Sequence, residues 1–302
     1  MGEGSTSSGI VLVDKPQGWT SHQVVGRMRR LLGTRKVGHA GTLDPMATGL
    51  LIIGVNRATR LLGHLAGHDK TYLATIRLGQ SSTTDDAEGE LSSVVASTGL
   101  TDDRIEAAIA SLRGDIVQVP SSVSAIKVNG QRAYALVRGG QEVELKARPV
   151  TVSRFEVLGR HDVTEEGCCD LDVVVDCSSG TYIRALARDL GASLTVGGSA
   201  VGGHLTALRR TRIGGFMLPE ESVDLAGDQA PAVVPMGEVA RSAFDHLVLT
   251  DQQAEDVRFG RPLRVSLTAS PTALLSPQGD LLALHEPDPQ RSGWTKPVAV
   301  LV

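Results

Sequence analysis

Aromatic side chains are scarce in this 302-residue sequence, which has two Trp, three Tyr and four Phe, 3% of the chain. Cysteine is scarcer still. Cys168, Cys169 and Cys177 sit in one strand-like segment with no CxxC pair and no adjacent histidine, which argues against a disulfide framework or a thiolate metal site and leaves reduced core thiols. No apolar run approaches a membrane span, the longest clean stretch being Leu50 to Val55, and the opening MGEGSTSSG lacks the basic and apolar pattern of a secretory leader. A cytoplasmic protein with no membrane partner is expected. HExxH, a Walker loop and GxGxxG are all missing, so metal hydrolysis, nucleotide phosphate binding and dinucleotide binding lack support. Neither metal nor cofactor is expected. The 41% hydrophobic and 21% charged residues describe an ordinary globular chain, long enough for about two domains.

An excess of positive charge is lacking too, since the net charge is −4, but its distribution is uneven. Residues 1–80, 121–160 and 181–218 are basic, the stretches between and after them are acidic, and the three basic blocks hold 22 of the 30 Lys and Arg. Blocks that converge in the fold would form a phosphate-binding face on an acidic protein; segregated, solvated charge is the bland alternative. The 24 Arg against 6 Lys suit bidentate phosphate contacts and equally a biased genome.

GIVLVDKPQGWTS reads as a strand from Ile10 to Val13, broken by Pro16 and Gly18, after which Thr20 or Ser21 caps a helix that ends at Gly33. LLIIGV is a buried-strand candidate. In KTYLATIRLG, Tyr72, Ala74, Ile76 and Leu78 alternate with Thr71, Leu73, Thr75 and Arg77, the period of a strand. TTDDAEGE reads as an exposed loop, and Thr101 with Asp102 and Asp103 opens another helix. Residues 121–148 look like a basic insertion with a short helical pattern around Tyr134 and Val137. Strands follow at Val150 to Val157 and Leu171 to Cys177, then a helix from about Tyr182 to Leu194, a Gly-rich link and a strand near His204 to Arg209. Strands outnumber helices and are often sequential, which favours an α+β fold with a mixed or antiparallel sheet over a doubly wound one. Short strands between turns in the last sixty residues suggest a small β domain.

The densest signal is the loop Gly38-His39-Ala40-Gly41-Thr42-Leu43-Asp44-Pro45-Met46-Ala47-Thr48-Gly49, which holds a single carboxylate. Its glycines permit conformations closed to other residues, and Pro45 restricts Asp44 to extended geometry. Such a loop can hold one side chain rigidly. No second acid lies nearby in sequence, so a glycosidase-style pair is not suggested. Taken alone, an Asp-Pro in a Gly-rich loop is more often an Asx-turn or a cap.

Several segments together resemble the TruB family of tRNA pseudouridine-55 synthases over most of the chain. VDKPQGWTS resembles the family's lysine-proline motif, GHAGTLDPMATGLL its catalytic loop, DKTYLATIRLGQSSTTDDAEG its tyrosine strand, and GDIVQVPSSVSAIKVNGQRAYALVRGG its thumb insertion. CSSGTYIRALARDLG and HLTALRR complete the set. The link TVGGSAVGG is longer than the family pattern, and the last sixty residues match a small PUA domain loosely.

The resemblance implies a pseudouridine synthase fold in residues 9–235 with a thumb inserted at about 121–148, a PUA-like RNA-binding domain in 236–302, and a disordered N-terminus in 1–8. It implies a stand-alone, guide-free isomerase acting as a monomer on uridine 55 in the T loop of tRNA. Asp44 matches the catalytic aspartate, a nucleophile or a base toward the sugar. Arg184 matches the arginine that pairs with it, Lys15 a supporting lysine, Tyr72 the tyrosine that stacks on the target base, and His39 a residue that fills space vacated in the RNA loop. Tyr182 and Leu208 match positions lining the pocket. Two other readings stand beside this one: the family's guide-RNA-dependent relatives, and a non-catalytic tRNA-binding and folding module.

Overall fold

A computed structural model of the protein describes residues 7–97, 99–121, 145–163 and 167–302, with the backbone alone at 127–128 and 131–132. The chain runs β1 (Gly9–Lys15), α1 (Ser21–Leu31), β2 (Val37–Ala40), β3 (Thr48–Val55), β4 (Lys70–Leu78), α2 (Asp102–Ala110), β5 (Gly114–Gln118), β6 (Arg148–Val163), β7 (Cys168–Cys177), α3 (Ile183–Ser193) and β8 (Gly203–Ile213). It continues through α4 (Met236–Ala243), β9 (His246–Val248), α5 (Asp251–Arg258), β10 (Thr272–Leu275), β11 (Leu281–Pro287) and β12 (Thr295–Val300). Shorter strands lie among these. The fold is α+β, as the strand count predicts. The chain divides into two compact units, one of residues 1–45, 49–66 and 213–302 and the other of 46–48 and 67–212. Among the described residues no helix is long and apolar enough to cross a membrane.

In the first unit β3 pairs antiparallel with β1 on one side, from Val55 opposite Gly9 to Gly49 opposite Lys15, and with β2 on the other. Its residues Gly49 to Val55 are all buried, which explains why LLIIGV shows no alternation: both faces are covered. One face packs against α1 through Val24, Val25 and Met28, together with Val223, Leu225 and Val233 of the later chain. Arg27 secures that later segment, donating from Nε to the Leu225 carbonyl (2.7 Å) and from Nη2 to Ala226 (3.2 Å). The other face, with Ile10, Leu50 and Ile52, shares its core with α4 and with Ala273, Leu275, Leu281 and Leu284 of β10 and β11. The C-terminal sheet, ordered β9-β10-β11-β12, therefore does not have a core wholly of its own. Ser7 and Ser8, within the segment expected to be disordered, are tied to Asn56 and Arg57, Asn56 Nδ2 donating to the Ser7 carbonyl at 2.9 Å.

In the second unit the order is β8-β4-β7-β6-β5, with β4 and β7, β7 and β6, and β6 and β5 all antiparallel. The alternation in β4 holds: Lys70, Tyr72, Ala74, Ile76 and Leu78 are buried. The opposite face forms a polar ladder, with Thr75 donating to Asp172 (2.7 Å) and Arg77 bidentate on Asp170 (2.8 and 2.9 Å). All three cysteines are buried thiols, none of them in a disulfide. The Gly-rich link is a tight hairpin in which Thr195–Val196 pairs with Ser199–Ala200. Within residues 121–148, the stretch expected to form a thumb, Lys127–Val128 pairs antiparallel with Gln131–Arg132; the helical pattern around Tyr134 and Val137 lies outside the described residues.

The expectation of an exposed loop at TTDDAEGE holds only in part: Thr83, Ala87, Glu88 and Glu90 are exposed, whereas Asp85 and Asp86 are 9% and 3% exposed. The basic blocks are mixed as well: Lys15, Lys70, Arg184 and Arg210 are buried, whereas Arg29, Arg30, Arg35 and Lys36 are exposed.

In the C-terminal sheet His285 is fully buried, shares a 2.9 Å hydrogen bond with Thr295 Oγ1, and leaves Nε2 without a partner among the described residues. Burial holds its pKa down at about 4 against an ordinary 6.5. A group kept neutral in the fold contributes stability fully above its unfolded pKa and loses it as pH falls toward the folded one. Stability is therefore expected to drop by roughly 3 kcal/mol at most between pH 6.5 and pH 4 on account of this group. Urea unfolding at both pH values should show a smaller difference in His285→Gln.

Candidate active site

Asp44 lies in the connection from β2 to β3, half-buried, between two residues whose backbones are held. Thr20 caps α1, its side chain accepting from the Gln23 N–H while the Gln23 side chain accepts from the Thr20 N–H. Ser21 is thereby left to face inward, 1% exposed, where its Oγ accepts from the Leu43 N–H (3.0 Å) and donates to the Leu43 carbonyl (3.2 Å). On the other side of Asp44 the Pro45 carbonyl accepts from the Gly18 N–H (2.8 Å) and from Lys15 Nζ (3.3 Å). Lys15 is fully buried and also donates to the carbonyls of Trp19 (2.6 Å) and Pro16 (3.0 Å). The motifs around Lys15 and Asp44 thus form one device: the first fixes the backbone on both sides of the carboxylate. Gly41 (φ 73°) and Gly49 (φ 100°) bound the loop with left-handed backbone that a side chain would strain. His39, on β2, is half-buried and meets His22 edge-on with ring centroids 5.5 Å apart.

Lys15, His39 and Asp44 belong to the first unit, and Tyr72, Tyr182, Arg184 and Leu208 to the second. Tyr72 is 7% exposed, opposite Val175 of β7, and Leu208 is 8% exposed on β8. Arg209, the next residue, donates to Thr48 Oγ1 at 3.3 Å. Tyr182 is the residue preceding the first turn of α3, in extended conformation. Arg184, in that first turn, is 3% exposed; its Nη1 donates to the Thr84 carbonyl (2.9 Å) and lies 3.5 Å from Asp86 Oδ2. One turn on, Arg188 reaches Asp85 at 3.2 Å. Burial pushes the Asp85 carboxyl up, against the lowering effect of the Arg188 and Arg184 charges.

Sequence reading missed Asp85, Asp86, Gln118 and Lys70. The i, i+4 spacing of Arg184 and Arg188 against two adjacent aspartates was the available signal for the first pair. Lys70 shares the buried face of β4 with Tyr72 and donates to the His68 carbonyl (2.6 Å); burial, then the charge of Arg210, holds it down to about 8. Among the described residues no group of three or more His, Cys, Asp or Glu forms a metal site.

A rigidly held carboxylate on an α+β scaffold defines a class before it defines a substrate. Residues 29–183 match the model of the TruB family pseudouridylate synthase N-terminal domain, and residues 244–302 that of the tRNA pseudouridine synthase II C-terminal domain. The chain belongs to the TruB family of pseudouridylate synthases, which are isomerases. It is 54% identical over 299 residues to the tRNA pseudouridine synthase B of Cutibacterium acnes, covering 98% of each chain. It is 55% identical over 302 residues to the protein of that name from Mycobacterium sp. (strain KMS), covering all of this chain and 98% of that one. Among solved structures, an H/ACA RNP bound to a substrate RNA containing 2′-deoxyuridine superposes with a TM-score of 0.69 at 22% identity, over 97% of this chain and 85% of that one. The archaeal box H/ACA sRNP Nop10-Cbf5 complex gives 0.69 at 24% identity, over 97% and 86%. At those identities the likeness is one of fold.

Proposed function

We propose that this protein isomerises uridine 55 in the T loop of tRNA to pseudouridine, as a stand-alone monomer without guide RNA, metal or organic cofactor, and that Asp44 is its catalytic carboxylate. The reaction breaks the N1–C1′ bond, forms a C5–C1′ bond, releases the C5 proton to solvent and places a proton on N1. Oxidation state does not change. One carboxylate suffices, as nucleophile on the nucleotide or as base toward the sugar. The observation that carries this reading is the bracing of Leu43 and Pro45 on either side of Asp44, since a catalytic group must be held near its productive geometry. The relatives named tRNA pseudouridine synthase B support tRNA as the substrate, because they match nearly the whole chain at more than half identity.

In this reading Tyr72 and Leu208 line the uridine pocket with Tyr182, Arg184 attends the Asp44 carboxylate, Lys15 supports the loop, and His39 takes space opened in the RNA loop when the target nucleotide flips. The PUA-like segment adds RNA contacts. The test is turnover by purified protein on an unmodified tRNA transcript, with the product mapped. One pseudouridine at position 55 that survives chelator treatment supports the reading. Tight binding without product would leave a binding module, and a need for added guide RNA would place the protein with the guide-dependent relatives.

A further inference from the structure

Tyr182 begins α3 with φ −103° and ψ 108° and no side-chain cap of its own. Both of its backbone polar groups are instead taken by one buried amide. Its N–H donates to Gln118 Oε1 (2.9 Å), and its carbonyl accepts from Gln118 Nε2 (3.1 Å). Gln118 ends β5, an edge strand whose neighbouring Val117 is 74% exposed, yet Gln118 itself is 2% exposed. The adjoining chain makes a further tie to the same helix: the Val119 carbonyl accepts from Arg188 Nη2 (2.8 Å). A primary amide is the side chain suited to this task, because it offers a donor and an acceptor side by side that match the two groups of one peptide residue. A bidentate grip fixes orientation as well as distance.

We propose that Gln118 is a positioning residue for the isomerisation, fixing the Tyr182 backbone from both sides so that its ring stays in the orientation the flipped uridine requires. The proposal rests on the assignment of Tyr182 to the uridine pocket. Gln118 touches no reacting atom and works through Tyr182.

Gln118→Glu is the discriminating variant. It keeps shape and the acceptor for the Tyr182 N–H, but when ionised it has no donor and sets a carboxylate oxygen against the Tyr182 carbonyl. Once protonated it regains a donor, and burial raises the pH at which that happens. Single-turnover release of the C5 hydrogen from a tritiated tRNA transcript should fall about tenfold or more at pH 8, with transcript affinity unchanged. Relative to wild type the loss should shrink as pH is lowered to 6. Gln118→Met, which can neither donate nor accept there, should lose rate equally at both pH values, and it carries the test if the Glu variant does not fold. A folded Gln118→Glu protein with the wild-type rate at pH 8, or a loss of equal size at both pH values, overturns the proposal. Tyr182→Ala run in parallel separates the two failures. Impaired Tyr182→Ala beside unaffected Gln118 variants rejects the clamp and keeps the pocket; wild-type rate in Tyr182→Ala rejects the pocket assignment and the clamp with it.

Discussion

Asp44→Asn is expected to reduce turnover to below about one part in a thousand while leaving the melting temperature and most of the tRNA affinity in place. The substitution keeps size and removes charge, nucleophilicity and basicity together. The loop should not collapse, because its anchors do not involve the side chain at 44: Leu43 is held by Ser21, and Pro45 by Gly18 and Lys15. Affinity should persist because RNA binding is largely a matter of cations on phosphates. Filter binding and single-turnover product formation, measured on the same preparation at fixed salt, check both halves. Product at a near wild-type rate from a sequence-verified variant would remove Asp44 from the chemistry, whichever route the carboxylate serves. Loss of affinity in step with rate would mean that the charge acts in binding.

The parts of this protein that were legible in the sequence are those whose cause is local. The period of two in Tyr72, Ala74, Ile76 and Leu78 is the imprint of a half-buried strand, and it reappears in the structure with those side chains inward. Thr20 or Ser21 reads as a helix cap, and the helix begins there, with Thr20 as the cap and Gln23 completing a capping box. The Asp44 loop stood out because its glycines and its lone acid are unusual together.

What stayed hidden depends on partners remote in sequence. A run such as TTDDAEGE looks solvated until two arginines about a hundred residues later neutralise it, Arg184 against Asp86 and Arg188 against Asp85. Gln118 is one polar residue at the end of an otherwise exposed strand, and only the start of α3 gives it meaning. The same holds for the C-terminal sheet. Its short strands announce a β domain, but that Ala273 and Leu281 complete a core with Ile10 and Ile52 depends on packing that no window of sequence contains. Charge counts hide a related distinction. The basic blocks suggest a phosphate-binding face, but a count does not separate the exposed Arg29, Arg30, Arg35 and Lys36 from Lys15, Lys70, Arg184 and Arg210, which are spent inside the fold.

Lys15 illustrates the point most sharply, since a Lys before a Pro carries almost no signal and its removal should nevertheless be among the most damaging changes in the chain. An ammonium in the interior is tolerated only when its donors are satisfied, and here they are met by the carbonyls of Pro16, Trp19 and Pro45. Lys15→Met keeps an unbranched apolar stem and withdraws the donor from all three carbonyls. The expected loss of stability is about 2–4 kcal/mol. Pro45 then keeps only the Gly18 N–H among the contacts described above, so one of the two braces beside Asp44 loosens. At a temperature where the variant is still folded, turnover should fall by about tenfold or more, while the shape of the pH–rate profile stays as in wild type. An unchanged profile at lower rate separates support of the loop from proton transfer, because a group that exchanged protons with the substrate would take one limb of the profile with it. Wild-type melting and wild-type turnover in Lys15→Met would show that the carbonyls find other donors and that Asp44 is held without the lysine.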